Sequence, residues 1–131
     1  MEAQDGSGDR PSETVAGLLL CRAADGRLAF RATDVVMVEA WSVGALAPHA
    51  RDAFGFTPQV GRSLVAAGGE AVGVDEVSVF AEPVKVLDPP TLLRTALGGS
   101  LLGFVFAQDL LWPLLRLSEL SRFLARPEVA R

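Results

Sequence analysis

Few side chains in this sequence are able to do chemistry. The 131-residue chain holds one histidine, one cysteine and no tyrosine. A nucleophile backed by a base, or a metal held by several donors, would have to be assembled from very little. His49 and Asp52 stand three residues apart and could share a helical face. A structural metal needs more ligands than these two, and a pair on an exposed loop is the plainer reading. Cys21 lies in an apolar run, where a lone thiol is ordinarily a small buried hydrophobe, and a single cysteine cannot form an internal disulfide. Asp75 and Glu76 are adjacent, and neighbours on a strand point to opposite faces, a poor geometry for paired acid and base work. Gly98, Gly99 and Ser100 lack the Lys-Ser/Thr that completes a phosphate-binding loop, so they read as the end of a helix. Arg22, Arg27 and Arg31 gather near one hairpin without an aromatic platform and read as a solvated face. Trp41 and Trp112 belong to a residue type enriched where proteins bury surface against partners. Trp112, inside an apolar strand, is expected in the core; for Trp41, beside a Gly- and Pro-rich stretch, core and surface stay equally open. The expectation is a protein without catalytic residues, metal or cofactor.

Charge and hydropathy narrow the classes further. The net charge of −4 repels phosphate backbones and acidic lipid surfaces, so nucleic acid is not an expected partner. Half the residues are apolar, but the richest stretch, 101–115, is interrupted by Gln108, Asp109 and Pro113. That falls short of the roughly 18 uninterrupted apolar residues of a spanning helix. Glu2, Asp5 and Asp9 precede any apolar run, unlike the basic start of a secretory signal. Leu20 is too large for the position before Cys21 in a lipoprotein cleavage box. A cytoplasmic location without direct membrane insertion is expected.

One domain suits the length. Residues 1–13, rich in Gly, Ser, Asp, Glu and Pro, have too little apolar surface to order themselves and are expected to form a tail. The domain is expected over 14–126, with a second short tail at 127–131. Residues 15–22 make a nearly continuous apolar strand, and Asp25-Gly26 is a strong hairpin signal before Leu28 and Phe30. Thr33 and Asp34 break the pattern ahead of 35–38, where three of the four residues are β-branched. Between Ser42 and Gly61 prolines and glycines dissolve it into a loop. A second unit follows, turning at Gly68-Gly69 and returning through 71–74. The order of turn, apolar strand, acidic break and Val-rich strand occurs twice and suggests two similar β lobes. A strand over 84–87 then meets Pro89-Pro90, which open a helix over 91–97. Residues 101–107 and 110–115 form a hairpin, and Ser118 caps a last helix running to about Arg126, with Leu117, Leu120, Phe123 and Leu124 on one face.

In this order the segments resemble the CheW family, adaptors that link chemoreceptors to their histidine kinase. Residues 62–65, the Gly68-Gly69 turn and Ala71-Val-Gly-Val-Asp-Glu-Val77 look like that family's strand, hairpin and Val-Asp-Glu-Val segment. Leu87-Asp88-Pro89-Pro90, Leu92-Leu93-Arg94 and Leu102-Gly103-Phe104-Val105 resemble its closing elements. The first half matches more loosely, through the Asp25-Gly26 hairpin and the strand 35–39. Between Phe56 and Arg62 the chain lacks the family's Asn-Leu-Arg-Gly turn and the strand after it. It is thus similar to a short, FrzB-like variant of the kind found in gliding-motility systems.

The resemblance implies an all-β, two-lobed barrel fold with an incomplete first lobe, one short helix in the second lobe and a C-terminal helix. It further implies a chemoreceptor signalling domain as partner, with a CheA-type histidine kinase or another CheW-like protein as further candidates and kinase coupling impaired. Val35, Val38 and Glu39, with Trp41, and Val74, Val77 and Phe80 flank the expected lobe junction and are the candidate partner-binding residues. Core packing is the alternative role for each. A small β-barrel binding module for another protein or ligand is the alternative function, and a small enzyme the third.

Overall fold

A computed structural model describes residues 14–23, 26–42 and 60–125. The expected tails, His49, Asp52 and the Ala24–Asp25 turn lie outside the described residues. Among the described residues eight strands and one α-helix follow in chain order: β1 (Thr14–Ala23), β2 (Gly26–Arg31), β3 (Met37–Ser42), β4 (Val60–Val65), β5 (Ala71–Val74), β6 (Glu76–Lys85), β7 (Leu101–Ala107), β8 (Leu110–Leu115) and α1 (Leu117–Leu124). They form a five-stranded sheet in the order β6-β1-β2-β8-β7 and a three-stranded sheet in the order β3-β4-β5. All pairs are antiparallel except β2 with β8.

The larger sheet curls until its edges meet. Two residues beyond β6, Leu87 bridges to Phe104 of β7 through reciprocal backbone hydrogen bonds of 2.8 Å. Gly103 makes this approach feasible, because a Cβ there would run into the Leu87 carbonyl oxygen. The fold is therefore all-β and barrel-like with a C-terminal helix, as the sequence pattern leads one to expect. The two ends of the chain build the barrel, and its middle builds the open three-stranded sheet. At Asp75 the chain passes from one sheet to the other, with its N–H donating to the Arg22 carbonyl at 2.8 Å.

Strand β1 is apolar almost throughout because both its faces are buried, the situation in which alternation disappears from a sequence. Leu18 and Leu20 point into the barrel with Val105, Trp112 and Leu114. Leu19 and Cys21 point outward into a second core with Phe30, Leu64, Val72, Val74, Leu115, Leu117 and Leu120. At about 1.5–3 kcal/mol per fully buried large aliphatic side chain, the alternate residues of this strand tie both cores together. Register slips between Ala16 and Leu18 around Gly17, whose φ of 97° lets Val15 rejoin the barrel interior.

Several elements differ from expectation. Residues 91–97 do not form an α-helix; Thr91–Leu93 and Ala96–Gly99 are separate 3-10 turns. Leu97, Gly98 and Gly99 all have positive φ, which cannot continue a right-handed helix, and Leu92 is 91% exposed, so no buried face pins the segment. Strand β3 begins at Met37 and not Val35, because residues 32–34 form a 3-10 turn held by the Arg31–Asp34 ion pair at 3.0 Å. Strand β6 runs unbroken through Pro83, which an edge strand tolerates. Helix α1 starts at Leu117 without a side-chain cap; burial of Leu117 and Leu120, not Ser118, fixes it.

Candidate interaction surface

Strand β3 pairs with β4 along one edge, from Met37 opposite Val65 to Ser42 opposite Val60. Among the described residues nothing pairs with its other edge. Just before it, the Val36 N–H donates to the Val65 carbonyl at 2.8 Å, extending the ladder by one residue. Val36, Met37 and Val38 are 61%, 48% and 45% exposed, and Glu39 and Ala40 are exposed as well. The β-branched residues that favour a strand here thus create an apolar edge whose backbone donors and acceptors are, among the described residues, unpaired, a ready template for another chain.

The seven expected partner-binding residues do not line one groove. Val38 and Glu39 lie on this edge. Val35 and Val77 are half-buried against the second core, and Val74 is sealed within it. Phe80 packs half-buried against the barrel-interior core. The Trp41 backbone pairs with Gly61 in the ladder, while its side chain lies outside what is described. Val36 and Met37 were not among the expected residues although they are more exposed than Val38; the 35–38 run is uniformly apolar, and nothing in it marks which members leave the core.

The residues considered for chemistry take structural places. Cys21 is fully buried, and loss of hydration pushes its thiol up to about 12, leaving it neutral and inert. Ser100 is buried and its hydroxyl donates to the Leu97 carbonyl at 2.9 Å, closing the Gly98-Gly99 turn. Trp112 is in the core, as its strand suggests, and its indole N–H donates to the Ala107 carbonyl at 2.8 Å. Two arginines depart from the expected solvated face: Arg31 is half-buried in its ion pair with Asp34, and Arg27 lies over the Trp112 ring at 5.9 Å and its Nε donates to the Leu111 carbonyl at 3.2 Å. Trp112 is therefore the aromatic platform that sequence spacing alone did not reveal, because Arg27 and Trp112 meet only through the parallel β2–β8 pairing. Among the described residues no three His, Cys, Asp or Glu side chains converge as a metal site, and no helix is long and apolar enough to cross a membrane.

No protein-family model matches the sequence, and no curated protein matches it.

Proposed function

We propose that this chain is a non-catalytic adaptor of a bacterial chemosensory array, in chemotaxis or gliding motility, that docks a chemoreceptor signalling domain through the free edge of β3. The observation that carries the docking mode is the uninterrupted exposed row Val36, Met37 and Val38 at the start of a strand whose other edge is unpaired among the described residues. Main-chain pairing along such an edge supplies affinity, and the alternate side chains supply selectivity. What supports the chemosensory setting is the ordered series of CheW-like segments from residue 62 to the terminal helix. The partner is a receptor in the cytoplasm, and the kinase is coupled weakly, because the segment between Phe56 and Arg62 lacks the family's additional strand.

Pull-down against a receptor signalling helix pair and, separately, the kinase regulatory domain tests the reading. Retention of the receptor with little or no kinase is expected. Failure to retain the receptor would overturn the proposed function, and strong binding to both would overturn its kinase-uncoupled part.

A further inference from the structure

The inward-facing rows of the barrel end in charge. On β1 the row runs Leu18, Leu20, Arg22, and on the paired strand β6 it runs Phe80, Ser78, Glu76, each opposite its partner in register. The last pair, Arg22 and Glu76, stands at the mouth of a cleft of about 290 Å³. Leu20, Leu110 and Trp112 give the cleft an apolar floor, and Ser78 and Gln108 add polar groups to its wall. Leu110 follows the inward parity of Trp112 and Leu114 yet stays exposed, an apolar side chain lining the cleft.

Directly opposed charges on neighbouring strands ordinarily attract each other. Here, among the described residues, neither the Arg22 nor the Glu76 side chain has a hydrogen-bonding or ion-pair partner. Arg27, the other cation at this end, is already committed to the Trp112 ring and the Leu111 carbonyl. A guanidinium and a carboxylate are thus both open beside an apolar floor, at the mouth of a barrel, where small-molecule sites commonly form.

We infer that this cleft binds a free α-amino acid with an apolar side chain. Its carboxylate meets the Arg22 guanidinium in a charge-assisted pair, its ammonium meets the Glu76 carboxylate, and its side chain covers Leu110 and Trp112. A zwitterion satisfies both charges at once, which neither a simple anion nor a simple cation does.

The test is a titration of the protein with L-leucine, following the Trp112 indole N–H resonance by NMR, assigned by its absence in Trp112→Phe. A saturable shift is expected with leucine, at least tenfold weaker with N-acetyl-leucinamide, which keeps the side chain and loses both charges. Arg22→Gln and Glu76→Gln should each weaken leucine binding at least tenfold, while Arg62→Gln, on β4, leaves it unchanged. No shift with leucine at millimolar concentration, or equal shifts from leucine and the uncharged amide, overturns the assignment. The two-ligand comparison is made on the unaltered chain, so it stands even if a variant folds poorly.

Discussion

At the scale of single residues, two positions carry sharp consequences. The thiol of Cys21 is held up from its ordinary 9.0 to about 12 by burial. The folded state therefore keeps a proton that the unfolded state loses near 9. By linkage the contribution is complete below that pH and is lost as pH rises toward 12. Unfolding free energy should accordingly fall more steeply above pH 9 for the wild type than for Cys21→Ala, as urea melts at several pH values would show; parallel curves would contradict the burial. Gly103 is the second such position. Gly103→Ala drives a methyl group toward the Leu87 carbonyl and the Val86 side chain, and overpacking of this kind costs about 1–3 kcal/mol. The loss should appear as a lower denaturation midpoint, and an unchanged midpoint would mean that the Leu87–Phe104 bridge does not close the barrel.

At the scale of elements, the terminal helix and the segment 91–97 are both expected to be helical from sequence, but packing separates them. Leu117 is fully buried beneath α1, so Leu117→Ala should cost about 2–5 kcal/mol. Leu92 is almost fully exposed, and Leu92→Ala should change stability by no more than about 0.5 kcal/mol. Chemical denaturation of the two variants decides it, and equal losses would contradict the two environments. The hairpins were legible because their turn chemistry is local: Gly69 takes a φ of 91° where the sequence has Gly68-Gly69, and β7 and β8 meet around Gln108 and Asp109. The failed helix at 91–97 was not legible, since its proline start is a local signal while the missing cover over Leu92 is a tertiary fact. The continuity of β6 is illegible in sequence for a like reason. Pro83 reads as a strand end until its place at a sheet edge is known.

At the scale of the whole molecule, composition and strand signals made the all-β class readable, whereas the division of strands between barrel and open sheet was not. Leu18 through Cys21 offer no alternation from which to tell inside from outside, because one face serves the barrel and the other the core beneath β4, β5 and α1. The same ambiguity scattered the candidate site: Val74, Val77 and Phe80 went into or against cores, and the exposed edge gathered around Val36, Met37 and Val38. The smaller sheet presents β3, paired on one side with β4 and, among the described residues, unpaired on the other, with an apolar row at its start. Docking through that edge is the central claim, and a charge placed on it tests the claim most directly. The measurement is the affinity of a chemoreceptor signalling-domain fragment for the wild type and for Val38→Lys, each shown by thermal melting to be equally stable. The account predicts binding by the wild type and at least a tenfold loss in the variant; equal affinity for the two proteins, or no binding by either, would contradict it.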